Sequence, residues 1–139
     1  MTSTQDASTP VHPHTDPSEL VTAFCAEWKA GDAATIAGYF SEDAVYHNIP
    51  MEPLYGRAAI ADFLHGFISA FGGIEFTIHH QAANGTVVLN ERTDRFDLGD
   101  KHVELPVMGV FEIEAGEITS WRDYFDMAPI TKLLSGEAS

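Results

Sequence analysis

Two aspartates and an arginine occupy positions where a β-strand would turn them towards an apolar face. In segment 88–96, Arg92 and Asp94 share a face with the apolar residues at the two ends. In segment 121–125, Asp123 likewise lies on the side of two aromatic residues. Because an unpaired buried charge is unfavourable, two inward carboxylates require a cation, and Arg92 is the nearby basic residue that the alternation turns inward. The pattern predicts an Asp–Arg–Asp arrangement.

Such a group can supply both a base and an acid, because two carboxyls in different environments hold different protonation states. Tyr46 and Asn48, two residues apart in a predicted strand, share a face and add a hydroxyl and a carboxamide. The alternative is an ion pair that only stabilises the sheet, or strand ends at which these residues reach solvent. The combination of both carboxylates with Arg92 inside one predicted pocket favours a catalytic site.

The elements that position these residues begin with helices. Asp16-Pro17-Ser18-Glu19 provides an N-cap, a proline at the first helical position and a Glu that reaches back, which predicts a helix over 17–30 that stops at Gly31. A short helix near 32–39 leads into a predicted strand over 44–48. Apolar spacing from Gly56-Arg57 onward predicts a third helix, closed by Gly72-Gly73.

From residue 74 onward the hydrophobic period changes from helical to two. Turn signals at Asn84-Gly85, Gly99-Asp100 and Ala115-Gly116 separate four predicted strands, and a short helix is expected over 129–134. The strands form an antiparallel meander with one wet face and one apolar face. The predicted fold is α+β, with a curved, mostly antiparallel sheet wrapped around the N-terminal helices to leave a deep apolar pocket.

The predicted lining of this pocket follows from inward alternation in the strands and from the apolar faces of the helices. For each residue, ordinary core packing is an equally good explanation. The expected lining residues are Trp28, Phe67, Phe71, Phe76, Ile78, Phe96, Leu105, Val107 and Phe125.

Length and charge limit the remaining possibilities. The 139 residues suit a single domain over 17–135, preceded by a flexible lead-in over 1–16. The net charge of −14 would repel nucleic acid and anionic membranes, and no apolar run is long enough to span a bilayer. The lead-in lacks the features of a signal peptide, so a cytoplasmic location is expected.

Cysteine and histidine provide weak signals for chemistry. The single cysteine, Cys25, falls in an apolar helical stretch and is expected to be a buried hydrophobe, not a thiol catalyst. The seven histidines include the adjacent pair His79 and His80, which strand alternation should turn to opposite faces. No pair has the helical spacing of a zinc motif, and no metal site is predicted.

The polar motifs resemble those of the limonene-1,2-epoxide hydrolases. The resemblance rests on Tyr46-x-Asn48-Ile-Pro50, Arg92-Thr-Asp94 and 121–126, and it extends over nearly the whole folded region. It implies the cone-like fold of ketosteroid isomerase and scytalone dehydratase, a homodimer, and no metal or organic cofactor. Segment 56–60 is also similar, but it recurs among the structural relatives.

The resemblance implies a role for each polar residue in adding water to a small apolar epoxide. Asp123 would take a proton from water that Tyr46 and Asn48 hold, Asp94 would protonate the epoxide oxygen, and Arg92 would bridge the carboxylates. The expected product is a vicinal diol, formed without an ester intermediate.

Two other functions fit the same fold class. An isomerase or cyclase would use an aspartate base and a neutral acid, although an adjacent arginine favours the ionised form of such an acid. A non-catalytic protein that binds an apolar ligand would have little reason to bury two aspartates and an arginine together.

Overall fold

A computed structural model describes residues 16–135, which fold into helices packed on one face of a curled sheet. Apart from Asp16, the predicted lead-in over 1–16 lies outside the described residues. In chain order the elements are α1 (Pro17–Glu27), α2 (Ala33–Ala37), β1 (Phe40–Asn48), β2 (Leu54–Tyr55), α3 (Arg57–Phe71), β3 (Glu75–Asn84), β4 (Val87–Leu98), β5 (Lys101–Glu114), β6 (Glu117–Tyr124) and α4 (Ala128–Leu134).

The six strands form a single sheet in the order β2-β1-β6-β5-β4-β3. The last four strands are the predicted antiparallel meander, and β2 is also antiparallel to its neighbour β1. Strand β1 returns to pair with β6 in parallel. This confirms the predicted α+β class with a curved, mostly antiparallel sheet.

Two helices are shorter than predicted. Helix α1 begins at the cap Asp16, whose carboxylate accepts the Glu19 N–H at 3.0 Å, but it ends at Glu27 and not at residue 30. The Trp28 carbonyl instead accepts the N–H of Ile74 at 3.0 Å, which joins this turn to the start of the meander. Helix α2 stops at Ala37, because the following residues already extend into β1 and pair with β6.

The core lies between the helices and the concave face of the sheet. Strand β5 has the predicted alternation, with buried residues at every second position from Val103 to Ile113. Phe24 of α1 packs edge-on against the rings of Trp28, Phe111 and Trp121. Among the described helices, none is both long and apolar enough to cross a membrane.

A β-bulge in β3 corrects the prediction for the adjacent histidines. The register with β4 shifts between Ile78 and His80. His79 contacts Thr93 and His80 lies 4.0 Å from Glu91, two residues that share the outer face of β4. Both histidines therefore reach the outer face, because the extra residue of the bulge breaks the two-residue alternation.

Candidate active site

The Arg92 side chain, 1% exposed on the inner face of β4, is the centre of a buried polar cluster. Its Nε and Nη2 donate to the two oxygens of Asp94, each at 2.9 Å. Its Nη1 and Nη2 donate to the oxygens of Asp123 at 3.2 and 2.8 Å, and Nη1 also donates to Asn90 Oδ1 at 3.1 Å. All five N–H donors of the guanidinium are therefore satisfied.

Asp123, 3% exposed on β6, accepts a third hydrogen bond from within its own strand. The indole Nε1 of Trp121 donates to Asp123 Oδ1 at 2.7 Å. The indole is stacked between Tyr46, at 4.3 Å between ring centroids, and Phe111, at 5.2 Å. The aromatic stack thus orients a donor that stabilises the carboxylate form of Asp123.

Gly109 of β5 makes room for this cluster. It pairs with Asn90 on one side and with Asp123 on the other, so it lies between two members of the cluster. A Cβ at this position would lie 2.5 Å from Arg92 Nη1 and 2.8 Å from Asp123 Oδ1. The guanidinium occupies the space that any side chain at position 109 would fill.

Tyr46 and Asn48 lie beside Asp123 on the neighbouring strand β1. The parallel register pairs Asn48 with Asp123 and Tyr46 with Trp121. The Tyr46 hydroxyl donates to Asn48 Oδ1 at 3.4 Å. Burial and the charge of Asp123 raise the pKa of Tyr46 far above its usual range, so this phenol stays neutral and can donate or accept.

Burial dominates the protonation of the two carboxyls. It raises the pKa of Asp94 to about 6, against the opposing effect of its hydrogen bonds and charge contact with Arg92. Burial also raises the pKa of Asp123, while Arg92 and the Trp121 N–H lower it. Asp123 accepts three hydrogen bonds and Asp94 accepts two, so the carboxylate form is better solvated by protein donors at Asp123.

An apolar cavity of about 230 Å³ opens next to this cluster. Tyr46 and Asn48 are its polar lining residues. Asp94 precedes the lining residue Phe96 by two positions and pairs across the sheet with another, Leu105. The carboxylates adjoin the cavity through these neighbours, and none of Arg92, Asp94 and Asp123 is among the described residues that line it. Its remaining lining residues are Trp28, Met51, Phe63, Phe67, Phe71, Ile74, Leu98, Phe125, Met127, Ile130 and Leu134.

Six of the nine predicted pocket residues line this cavity: Trp28, Phe67, Phe71, Phe96, Leu105 and Phe125. The other three, Phe76, Ile78 and Val107, are not among its lining residues. Phe76 is covered by Trp28, whose ring stacks on it at 5.1 Å, and by the Arg92 guanidinium at 4.6 Å from its centroid. Ile78 packs against the main core, and Val107 packs with Val103 and Leu105 in a separate apolar cluster.

Several residues of the site were not predicted from the sequence. Asn90 precedes Arg92 by two positions, so the alternation that selected Arg92 and Asp94 also pointed to it. Gly109 interrupts the run of apolar inward residues in β5, which was a signal for close approach. The Trp121 donor had no comparable signal, because alternation does not show which atom an indole N–H reaches.

Comparison with known proteins identifies the family. The family model of the limonene-1,2-epoxide hydrolase catalytic domain matches residues 15–135, which include all of the cluster. The chain belongs to the limonene-1,2-epoxide hydrolase family. This match confirms the family that the polar motifs of the sequence predicted.

Relatives of this limonene-1,2-epoxide hydrolase family member include an epoxide hydrolase of Mycobacterium tuberculosis, EphG. The two are 38% identical over 117 residues, which cover 84% of this chain and 78% of that protein. A solved LEH-like epoxide hydrolase of M. tuberculosis is 32% identical and superposes with a TM-score of 0.74, over 87% of this chain and 96% of that chain.

More distant structures share the fold alone. The epoxide hydrolase/cyclase-like enzyme SalBIII, described in pyran ring formation in salinomycin, superposes with a TM-score of 0.72 at 22% identity, over 81% of this chain and 92% of that chain. A protein from Shewanella denitrificans OS-217, described by its likeness to SnoaL polyketide cyclases, superposes with a TM-score of 0.77 at 15% identity, over 89% of this chain and 100% of that chain. Because a shared fold does not determine a function, the chemistry of this family member depends on its site.

Proposed function

We propose that this protein opens small apolar epoxides with water, in one step, to give vicinal diols. The observation that carries the proposal is the Arg92 guanidinium, which bridges two buried carboxylates beside an apolar cavity whose lining includes Tyr46 and Asn48. Membership of the limonene-1,2-epoxide hydrolase family supports the reaction class.

Asp123 is the proposed base. It accepts three hydrogen bonds, which favour its ionised form, and its strand neighbour is Asn48. The Tyr46 hydroxyl and the Asn48 carboxamide would hold a water molecule beside this carboxylate. Holding the water in line with the attacked carbon lowers the entropic cost of the reaction, because the two reactants no longer need to meet by diffusion.

Asp94 is the proposed acid. Its pKa, raised by burial to about 6, lets it keep a proton at a pH where an exposed aspartate is ionised. As the bond from water oxygen to carbon forms, the carbon–oxygen bond of the epoxide breaks on the opposite side. Asp123 takes the proton of water while Asp94 protonates the departing oxygen, and a proton then returns from Asp123 to Asp94 to complete the cycle.

The cavity indicates the class of substrate. Its wall is aromatic and aliphatic except at Tyr46 and Asn48, which favours a molecule without charge. Its volume of about 230 Å³ lies below the roughly 300 Å³ at which pockets for drug-sized ligands begin, so the substrate should be small. A cyclic or terpene-like epoxide meets both conditions.

The first experiment measures diol formation from a panel of cyclic epoxides, including limonene oxide, in the presence of a chelator. We expect turnover by the wild-type protein and its loss in Asp123→Asn and Asp94→Asn. The matched control is Asp97→Asn, which removes an exposed carboxylate from the same strand as Asp94 and should retain full activity. A folded wild-type protein that opens no epoxide would overturn the proposal.

A second experiment tests the single step. With enzyme in excess over substrate in ¹⁸O-labelled water, direct attack places ¹⁸O in the diol in the first turnover. Attack by a carboxylate would instead transfer an unlabelled enzyme oxygen first. Unlabelled diol from this single turnover would contradict the proposed mechanism.

Homodimerisation, expected from the family resemblance, stays a prediction. Size-exclusion chromatography with light scattering would measure the mass in solution, with 15.2 kDa expected for one chain.

A further inference from the structure

A chain of hydrogen bonds continues from Arg92 through the buried Asn90 to the half-buried Gln81. Asn90, 1% exposed, accepts from Arg92 Nη1, and its Nδ2 donates to Gln81 Oε1 at 3.1 Å. Gln81 Nε2 in turn lies 3.0 Å from the Ser18 carbonyl oxygen, 2.8 Å from Ser18 Oγ and 3.0 Å from Thr22 Oγ1. The chain therefore connects the carboxylate cluster to the first two turns of α1.

The two ends of this chain determine the orientation of both carboxamides. Arg92 is a donor without acceptor capacity, so Asn90 must present Oδ1 to it and Nδ2 to Gln81. The Ser18 main-chain carbonyl can only accept, so Gln81 must present Nε2 to it and Oε1 to Asn90. Both requirements give the same arrangement, and reversing either amide would place donor against donor or acceptor against acceptor.

The bulge in β3 is what brings Gln81 to this chain. With unbroken alternation, Ile78 and His80 would share the inner face and Gln81 would face outward. The register shift between Ile78 and His80 instead pairs Gln81 with the buried Asn90. The irregularity of the strand thus places a carboxamide behind the cluster.

We propose that Asn90 and Gln81 are positioning residues for the reaction, which hold the Arg92 guanidinium in the orientation that bridges Asp94 and Asp123. The proposal rests on the proposed epoxide hydrolysis. Asn90 Oδ1 accepts from the one Arg92 N–H group that does not donate to a carboxylate. Gln81 connects Asn90 to α1 by hydrogen bonds to both.

The chain restricts how the guanidinium can rotate. Both carboxylates are held by pairs of N–H groups, which are parallel only in one orientation of the guanidinium plane. Without Asn90, Nη1 would have a donor unsatisfied in a buried site, and the plane would tilt to recover a partner. A tilt lengthens the hydrogen bonds from Arg92 to both carboxylates. In the proposed reaction, these carboxylates exchange protons with water and epoxide.

The test uses Asn90→Leu and Gln81→Leu, which keep side-chain size and remove the amides. We expect kcat on the best epoxide to fall at least tenfold in Asn90→Leu and about threefold in Gln81→Leu, with KM within twofold of wild type. Because the residues act in series, the double variant should be no slower than Asn90→Leu. The control is Thr119→Val, which removes a side-chain hydrogen bond outside this chain, from the Thr119 hydroxyl to the main-chain carbonyl of Glu112 in β5.

A readout independent of turnover separates this proposal from the proposed function. The carboxyl ¹³C signals of Asp94 and Asp123, followed against pH by NMR, should titrate at higher pH in Asn90→Leu, because looser contact with Arg92 stabilises the carboxylates less. If Asn90→Leu does not fold, Gln81→Leu at its half-buried position provides the same measurement.

Two results would overturn the positioning role. One is that the variants melt earlier but keep wild-type kcat, KM and carboxyl titrations while epoxides are hydrolysed. The other is that their effects on kcat multiply in the double variant. If the wild type opens no epoxide, the proposed function fails, and the carboxyl titrations alone then decide whether Asn90 and Gln81 orient Arg92.

Discussion

Gly109 lies directly between strands β4 and β6 and pairs with Asp123, whose Oδ1 would be only 2.8 Å from a Cβ at position 109. Real Cβ atoms are not found so close to another heavy atom, and the Arg92 Nη1 would be closer still, at 2.5 Å. Neither group can move away freely, because each is held by buried hydrogen bonds. The absence of a side chain is therefore a requirement of the cluster.

Gly109→Ala should disable the site while the fold persists. The added methyl displaces Arg92 or Asp123, and misplacement of about 1 Å can reduce activity on the order of a hundredfold. Overpacking of this kind destabilises by about 1–3 kcal/mol. Steady-state kinetics and urea denaturation measure both effects. Gly66→Ala, in α3 with open space around the position, is the control, and equal activity in the two variants would refute the steric explanation.

Trp121→Phe should move the acidic limb of the pH–rate profile to higher pH. The phenyl ring retains much of the stack with Tyr46 but removes the N–H that donates to Asp123 Oδ1. Because that bond lowers the pKa of Asp123, its loss raises the pKa, and a base with a raised pKa becomes active only at higher pH. The measurement is kcat/KM against pH. An unchanged acidic limb would argue against Asp123 as the base.

The wild-type profile should also decline on its alkaline side. The proposed acid Asp94 must carry a proton, and burial raises its pKa to about 6. We therefore expect kcat/KM to fall as pH rises above about 6, since the protonated fraction of Asp94 decreases. A profile that rises steadily from pH 6 to 9 would exclude Asp94 in its protonated form as the essential acid of the free enzyme.

Asp94 should also make stability depend on pH. Its pKa is about 6 in the folded protein against 3.8 for the unperturbed group, so the folded state retains a proton that the unfolded state loses. This contribution is complete below about pH 4 and is lost as pH rises through 6. At 1.36 kcal/mol per pKa unit, the loss is about 3 kcal/mol.

Asp94→Asn lacks this titration and should gain about 2 kcal/mol relative to wild type between pH 4 and 7, whatever the offset at pH 4. Urea denaturation at several pH values measures the difference. The control is Asp100→Asn, which removes an exposed carboxylate from the turn between β4 and β5. A constant difference between Asp94→Asn and wild type across this range would show that the pKa of Asp94 is not raised.

Local patterns were sufficient to predict the fold class and the inward orientation of the charged residues. Alternation in β4 and β6 depends on properties of single strands, so Arg92, Asp94 and Asp123 could be placed on one face without knowledge of the pairing. The N-cap at Asp16 and the turns of the meander were equally local. Each of these features needs only neighbours within a few residues of sequence.

Features that depend on pairing between distant segments could not be predicted. The end of α1 is set by Ile74, 46 positions after Trp28, and the role of Gly109 depends on which residues lie opposite on two other strands. The bulge beside His79 changes which side of the sheet the later residues of β3 face, and no pattern in the sequence indicates a bulge at this position. The cavity lining includes Ile130 and Leu134 of α4, and the position of this helix depends on its packing against residues of the distant strand β5.

The complete set of hydrogen bonds around Arg92 limits what that residue can do for a substrate. With every N–H already engaged by Asp94, Asp123 or Asn90, the guanidinium offers no donor with which to grip an alkoxide. An oxygen that leaves carbon in this cavity would therefore find no free guanidinium N–H to stabilise its negative charge. In the proposed reaction, ring opening is then coupled in time to proton delivery from Asp94, which favours epoxides whose carbon–oxygen bond breaks only as the oxygen is protonated.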